Sequence, residues 1–135
     1  MTSRGFDVIG TDECIELLRG HSFGRVGIRI ADEPVILPVF YALVDGEVVF
    51  RTDPGTKLIA AVVEMRVAFE VDDGADGWSV LVVGHAHEMR SPSPTMTNAQ
   101  ARLDDYWPVG ERQRVVRIEI EKITGRRLRR SPSDG

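Results

Sequence analysis

The sequence predicts a mainly β (α+β) fold, a six-stranded antiparallel barrel with two to three short helices. Six segments show two-residue alternation or β-rich apolar runs, whereas only two or three show helical patterning. Most of the strands are joined by short hairpin turns, which favours a closed antiparallel barrel over a parallel, doubly wound sheet. With 135 residues, 42% of them hydrophobic, the chain is long enough to bury one core without disulfides. A single domain is therefore predicted for residues 1–128, with residues 129–135 as a flexible basic tail.

The elements are predicted from periodicity and from the residues that interrupt it. Helices are expected at residues 11–18, with Thr11 as N-cap and Gly20 at the end, at 56–65 and at 95–107. Strands are expected at residues 24–30, 35–44, 48–53, 66–72, 78–90 and 113–123. Glu33-Pro34 and Asp45-Gly46 are assigned as turns, the second being a strong hairpin signal, and Gly84 is expected to form a bulge.

The third segment, residues 35–44, is too apolar for a strand with one face in water. Either both of its faces are covered within the chain or it lies in a subunit interface. We therefore expect a homodimer.

The charge balance excludes several classes of partner. The chain has 17 basic and 21 acidic residues, a net charge of −4, although residues 111–130 carry eight basic residues against three acidic ones. A mildly acidic protein of this kind is not expected to coat nucleic acid or an anionic membrane. The N-terminal residues contain no apolar signal segment and no apolar run is long enough to span a bilayer, which predicts a cytoplasmic protein.

Most catalytic motifs are absent from the sequence. It has no GxSxG, GxGxxG or GxxxxGK[ST] motif, and its single cysteine, Cys14, stands among acidic residues that would raise the pKa of the thiol. His85 and His87 share one face of a predicted strand, but no third ligand is near them in sequence, so no metal site is predicted.

The most informative segment is VVFRTDPGTK, residues 48–57. A strand delivers Arg51 and Thr52 to its end, Pro54-Gly55 turns the chain, and Lys57 stands at the start of a helix. Cations, hydroxyls and the free N–H groups of a helix start can together hold a phosphate. The alternation of a strand places Arg51 and Thr52 on opposite faces, so we expect the side chains of Arg51 and Lys57 to be the charge partners.

Several segments in a fixed order resemble the pyridoxamine 5′-phosphate oxidase-like flavoproteins. They are GRV, PVILPVFYALVDGEVVFRTDPGTKL, VAFEVDD, GWSVLVVGHAHEM and VVRIEIEKITGRRL, and together they cover about Glu13 to Leu128. The combination is similar to the short actinobacterial members that are described as FMN-binding split β-barrels. The resemblance implies a six-stranded split β-barrel, a homodimer and two flavin sites at the subunit interface.

The resemblance also implies roles for individual residues. Arg51 and Lys57 would hold the flavin phosphate, with Thr52 and Gly55 beside it. Pro38 and Val39 would present backbone to the isoalloxazine ring, and Trp78 and Ser79 would reach the site from the partner subunit. For Trp78 an equal alternative is that the indole plugs the barrel mouth or the interface.

These roles predict an FMN-binding oxidoreductase that transfers hydride through the flavin N5 to a small molecule. One alternative is a reductase that depends on the deazaflavin coenzyme F-420, whose polyglutamate tail would need a basic groove such as the arginine-rich C-terminal end. The other is a non-enzymatic dimer that binds flavin or haem, in which Phe40 and Tyr41 would block the site. The C-terminal segment that binds substrate in the pyridoxamine phosphate oxidases has no counterpart here, so that activity is not expected.

Overall fold

A computed structural model describes residues 5–52, 62–89 and 114–129 of the chain. The elements are, in chain order, β1 (Phe6–Ile9), α1 (Thr11–Arg19), β2 (Phe23–Ile30), β3 (Glu33–Val44), β4 (Glu47–Thr52), β5 (Arg66–Asp73), β6 (Trp78–Met89) and β7 (Arg114–Leu128). The predicted helices at residues 56–65 and 95–107 lie wholly or largely outside these ranges. In the described part of the chain, no helix is long and apolar enough to cross a membrane.

The strands form one antiparallel sheet that closes on itself. The order is β1-β7-β4-β3-β2-β5-β6, and an additional pairing of β6 with β7 completes a barrel of six strands, β2 to β7. The predicted six-stranded antiparallel barrel is thus confirmed. Strand β1 was not predicted because four residues are too few to show a period; it adds to the edge of β7, with Phe6 opposite Leu128.

Closure of the barrel depends on an irregularity at Gly84. The register of β6 against β7 shifts between Val83 and Gly84, so Glu121 is left over on β7. A Cβ at Gly84 would lie 2.3 Å from the carbonyl oxygen of Glu119 and 2.7 Å from a methyl carbon of Ile118. The predicted bulge is therefore confirmed, and only glycine allows the two backbones to approach this closely.

Two hairpin turns have both central residues in the left-handed region. Asp45 and Gly46 have φ of 53° and 77°, the type I′ geometry that an Asp-Gly pair predicts. Ala31 and Asp32 have φ of 50° and 70° and connect β2 to β3. The predicted turn at Glu33-Pro34 is wrong, because the tight two-residue turn comes just before these residues and both belong to β3.

Helix α1 covers one end of the barrel. Its N-cap is Gly10 rather than the predicted Thr11, which is already helical, and no side chain caps the first turn. Cys14 and Leu18 point into the barrel and are fully buried. The hydroxyl of Tyr41, from β3, donates a hydrogen bond of 2.6 Å to the carbonyl of Leu18, which attaches the end of the helix to the sheet. Burial, and secondarily the neighbouring Glu13, raises the pKa of the Cys14 thiol, which makes it unsuited to act as a nucleophile.

The barrel has apolar residues on both of its faces. Alternate residues of the strands fill the interior, among them Tyr41, Phe50 and Phe69. A second cluster lies on the outer face of β3, β4 and β7 and consists of Ala42, Val44, Val49 and Val115, with Met89 against it. The apolar run of β3 is therefore covered on both faces near its end, whereas Ile36 on the outer face is 70% exposed.

Strand β7 is longer than predicted and is tied down at its arginine-rich end. The predicted strand ended at Ile123, but pairing with β1 and β6 continues to Leu128. Arg127 lies 3.1 Å from Glu13, Arg129 lies 2.9 Å from Asp7, and the guanidinium of Arg126 stacks over Phe6 at 4.5 Å. These arginines therefore attach β1 and α1 to the barrel. Of the predicted tail, residues 129–135, only Arg129 is described, and residues 130–135 lie outside the described residues.

Candidate functional site

The candidate site is at the end of β4, where two consecutive polar residues are both buried. Arg51 is 6% exposed and Thr52 is 3% exposed. Arg51 lies on the outer face with Val49, and Thr52 lies on the inner face with Phe50, as the strand alternation predicted. Among the residues that the structure describes, none forms a hydrogen bond with the hydroxyl oxygen of Thr52. A buried hydroxyl without a partner costs about 1–3 kcal/mol, so this end of β4 holds an unused capacity to bind a ligand.

Two of the predicted phosphate-binding residues cannot be placed. Gly55 and Lys57 lie outside the described residues. Their roles stay predictions. Arg51 and Thr52 are the part of the predicted cradle that the structure describes.

The predicted ring-binding residues lie on β3, beside β4. Val39 points into the barrel and is buried, whereas Pro38 is exposed on the outer face, opposite Arg25 of β2. Only Pro38 therefore presents a side chain on the same face as Arg51, and Val39 could offer a ligand no more than its backbone. Whether either residue contacts a flavin stays a prediction.

Phe40 and Tyr41 are separated by the same alternation. Tyr41 is buried in the core with its hydroxyl bound to Leu18, and burial raises the pKa of that hydroxyl. It cannot close a site on the outer face, so this part of the blocking hypothesis is wrong. Phe40 is half-buried on the outer face, and it lies beside Arg51 because the next residues along the two strands, Tyr41 and Phe50, are paired.

A second aromatic side chain, not predicted as part of the site, lies next to Phe40 on the outer face. Phe23 is paired with Phe40, and the two rings meet edge-to-face with centroids 5.3 Å apart and planes at 65°. Phe23 is 46% exposed. This pairing could have been predicted from the sequence, because a two-residue turn at Ala31-Asp32 fixes the register that brings Phe23 opposite Phe40. The turn was predicted at Glu33-Pro34 instead, and that position gives a different register.

Trp78 and Ser79 are at a distance from Arg51 within one chain. Trp78 pairs with Arg127 of β7, whereas Arg51 pairs with Val115, twelve positions away along the same strand. The indole of Trp78 is 3% exposed, packs in the barrel and meets the ring of His21 edge-on at 4.9 Å. The structure therefore shows Trp78 as a plug at the barrel mouth, and it does not bring Trp78 or Ser79 together with Arg51.

Two cavities lie near the aromatic pair along its strands. One, of about 330 Å³, is lined by the segment Arg19–Ser22 and by the segment Tyr41–Leu43, next to Phe23 and Phe40 in sequence. The other, of about 380 Å³, lies on the outer face of β2, β3 and β5 and is lined by Arg25, Gly27, Ile36, Ala68, Glu70 and Asp72. Phe23 and Phe40 themselves line neither cavity.

Three charged residues stand at one end of the second cavity. Arg25 lies 3.2 Å from a carboxylate oxygen of Glu70 and 3.2 Å from one of Asp72. Partial burial and the neighbouring Asp72 raise the pKa of Glu70, although Arg25 acts in the opposite direction. These carboxylates therefore have Arg25 as their partner across the sheet, whereas Arg117 of β7 binds Glu47 at 2.6 Å.

The two histidines on β6 are bound to carboxylates. Glu64 lies 3.4 Å from His85 and 3.3 Å from His87, and Glu119 lies 3.5 Å from the other nitrogen of His87. The hydrogen bond from His87 is the main cause that lowers the pKa of Glu64. Within residues 5–52, 62–89 and 114–129, no group of three or more such side chains is arranged to hold a metal.

Comparison with known proteins agrees with this fold. The model of the pyridoxamine 5′-phosphate oxidase family matches residues 10–127. The chain is 36% identical over 126 residues to the uncharacterized protein Rv0080 of Mycobacterium tuberculosis, an alignment that covers 87% of this chain and 82% of the relative.

Two solved structures are similar over nearly their whole length. An FAD-binding protein from Mycobacterium smegmatis superposes with a TM-score of 0.81 at 31% identity, covering 93% of this chain and 100% of the other. An FAD-binding protein from Mesorhizobium loti superposes with a TM-score of 0.78 at 25% identity, covering 93% and 98%. The barrel, the strand order and the family match over residues 10–127 lead to one conclusion: the chain belongs to the pyridoxamine 5′-phosphate oxidase family.

Proposed function

We propose that this chain binds a flavin through its phosphate at the end of β4 and acts as a flavin-dependent oxidoreductase on a small molecule. The observation that carries the proposal is the buried pair at the end of β4, an arginine on the outer face and a hydroxyl without a partner on the inner face. A phosphate accepts several hydrogen bonds at once and pairs well with a guanidinium, so it matches the Arg51 side chain. Because Thr52 faces the other side of the strand, it could join Arg51 at the same phosphate only through its backbone or from beyond the end of the strand. The FAD-binding proteins from Mycobacterium smegmatis and Mesorhizobium loti support a flavin as the ligand.

The residues of the chain would bind and orient the cofactor. The Arg51 side chain would supply hydrogen-bond donors at the phosphate, and Thr52 would add a donor from its backbone or from beyond the end of the strand. The neighbouring Phe40 would supply apolar surface that excludes water. When bound, a flavin would supply a ring that accepts or donates hydride. These residues would therefore position the flavin and shield it from water. A substrate would approach the flavin from the outer face.

We further propose that the functional unit is a homodimer with the flavin sites at the interface. Ile36 and Leu81 expose apolar surface on the outer face of the barrel, at 70% and 40%. Because Trp78 and Ser79 are twelve and eleven strand positions from Arg51 in one chain, they could approach its site only from a second copy. The indole of Trp78 is buried in its own barrel, so Trp78 could then contribute only its backbone. Light scattering should give twice the chain mass of 15.0 kDa, and a monomer that binds flavin would contradict the interface site.

The test of flavin binding is a spectrum of the purified protein followed by titration with FMN, FAD, riboflavin and F-420. FMN should bind, and Arg51→Gln should weaken it about 10- to 100-fold while leaving riboflavin, which lacks the phosphate, unchanged. Arg51→Lys keeps the charge and guards against misfolding, Lys57→Ala tests the predicted second cation, and Arg29→Gln is the control at an exposed arginine of β2. FAD bound much more tightly than FMN would assign the larger cofactor.

Thr52→Val provides a second test at the same site. Removing a buried hydroxyl that has no partner should leave the ligand-free protein as stable or more stable, because valine has a similar shape and no polar atom to satisfy. The same variant should bind FMN more weakly. Loss of stability with unchanged FMN binding would contradict a ligand-binding role for Thr52.

The two alternative functions remain outcomes of these titrations. Binding of F-420 without FMN would favour the deazaflavin-dependent reductase. The arginines that were to serve its polyglutamate tail, Arg127 and Arg129, are bound to Glu13 and Asp7, which weakens that alternative. A bound flavin that no nicotinamide or deazaflavin donor reduces would favour the non-enzymatic dimer. A protein that binds no flavin at all would overturn the proposal.

A further inference from the structure

A row of side chains crosses the outer face of three neighbouring strands. Its charged and aromatic members could contact a whole flavin and not only its phosphate. It begins with Arg51 on β4, continues with Phe40 on β3 and ends with Phe23 on β2. Neighbouring strands are about 4.8 Å apart, so the row extends about 10 Å from the cation to the far ring. A ribityl chain can cover such a distance between a phosphate and an aromatic ring system.

Phe23 leaves a large part of its aromatic ring uncovered at the far end of this row from the buried Arg51. It is 46% exposed although its neighbour in the pair, Phe40, is half-buried. The edge-to-face contact between the rings holds both in place, with centroids 5.3 Å apart. An exposed, oriented aromatic ring is a surface on which another flat ring can pack.

Two cavities lie near the pair along its strands, although Phe23 and Phe40 themselves line neither. One, of about 330 Å³, is lined by Ser22 and Ala42, which are one and two positions from Phe23 and Phe40. The other, of about 380 Å³, is lined by Arg25 and Ile36, which are two and four positions from Phe23 and Phe40.

We infer that Phe23 and Phe40 form the platform on which the isoalloxazine ring of the bound flavin packs, so that Phe40 holds the ring instead of blocking the site. The inference rests on the proposed flavin-binding function. It assigns the ring end of the site to side chains of the same protomer that supplies Arg51. Phe23 and Phe40 are thus positioning residues, which set how tightly the ring is bound and do not act at the phosphate.

The experiment compares the affinities of FMN and riboflavin, measured by fluorescence anisotropy, in single variants of the full chain. Phe23→Ala and Phe40→Leu should weaken both ligands by the same factor, about five- to tenfold, because the ring is common to both. Arg51→Gln should weaken FMN alone. Leu128→Ala is the matched control, since it removes an exposed apolar side chain from β7, at a distance from Arg51. Circular dichroism of the bound flavin should also change in the phenylalanine variants and not in the control.

The possible failures are distinguishable. If Phe23→Ala and Phe40→Leu bind both ligands within twofold of the Leu128→Ala control while Arg51→Gln still weakens FMN, the platform is overturned and the phosphate site stands. If the two phenylalanine variants weaken FMN but leave riboflavin unchanged, they act at the phosphate and the platform is again overturned. If the unaltered protein binds neither ligand, the proposed function fails and the platform falls with it. Phe23→Leu keeps an apolar side chain and guards against a loss of fold in Phe23→Ala.

Discussion

The covered end of the barrel and the outer face around Arg51 differ in how completely their polar groups are satisfied. At the covered end, the Tyr41 hydroxyl binds the Leu18 carbonyl, and the ring nitrogen of His21 lies 2.7 Å from the Leu17 carbonyl. At the end of β4, no described residue pairs with the Thr52 hydroxyl, and on the outer face two strands away the aromatic ring of Phe23 is half uncovered. The first region has the features of a structure optimised for stability, whereas the second keeps features that are costly unless a ligand completes them.

The largest effect is expected when two phenylalanines are compared as alanine variants. They lie on adjacent strands, and their side chains face opposite sides of the barrel wall. Phe50→Ala, in the fully buried interior, should lower the free energy of unfolding by about 3–5 kcal/mol because it leaves a cavity among side chains that cannot collapse. Phe40→Ala, on the outer face, should lower it by only about 1 kcal/mol. Urea unfolding of the ligand-free protein measures both. Equal losses would mean that the outer face contributes to the core as much as the interior does, and the contrast would be broken.

A smaller effect is expected from two glycines that differ in the space around them. Gly84→Ala should cost about 1–3 kcal/mol, because the new Cβ would lie 2.3 Å from the backbone oxygen of Glu119 and the barrel closure must shift. Gly27→Ala is the matched control, since its Cβ would lie at ordinary contact distances from Ala68, 3.5 Å from the Cβ and 3.9 Å from the carbonyl oxygen. The change in Tm of each variant gives the comparison. A tolerated alanine at Gly84 would show that the close approach of β6 and β7 is not required.

The smallest effect is a pH dependence at Glu64, which is exposed and bound to two histidines. The hydrogen bond from His87 lowers the pKa of Glu64 below its ordinary value of 4.5. A carboxyl with a lowered pKa in the folded state stabilises above its ordinary pKa, and this contribution is lost as the pH falls through the lowered value. Glu64→Gln should therefore have a slightly lower Tm than the unaltered protein at pH 6, and the two should converge as the pH falls through the lowered pKa of Glu64.

The control for this prediction is Glu33→Gln, at an exposed glutamate on β3 at a distance from the histidines. It should show no such convergence. A difference between Glu64→Gln and the unaltered protein that stays constant from pH 6 to pH 3 would exclude the carboxylate as its cause. The effect is kept small by solvent, which screens exposed ion pairs.

Alternation along the strands and the turn residues determined most of the barrel. The period of two in residues 66–72 predicted that Val67, Phe69 and Val71 would be buried, and they are. The Asp45-Gly46 pair predicted a type I′ hairpin because few other residues accept two positive φ values, and Gly84 predicted the bulge. These features depend on the conformational preferences of single residues and their neighbours in the chain, so they can be predicted from the sequence.

Pairing between distant segments was decided by the tertiary structure alone. The sequence placed Arg51 and Thr52 at a strand end and on opposite faces, but it could not show that the Thr52 hydroxyl would be buried without a partner, because this depends on residues from other strands. It also could not pair Phe23 with Phe40, since one misplaced turn shifts the register of every residue in a strand. Nor could it show that the arginines near Leu128 bind β1 and α1, because their acidic partners lie more than 110 positions away in the chain. The sequence by itself thus determined the elements and the cation of the site, and the closure of the barrel decided which side chains surround it.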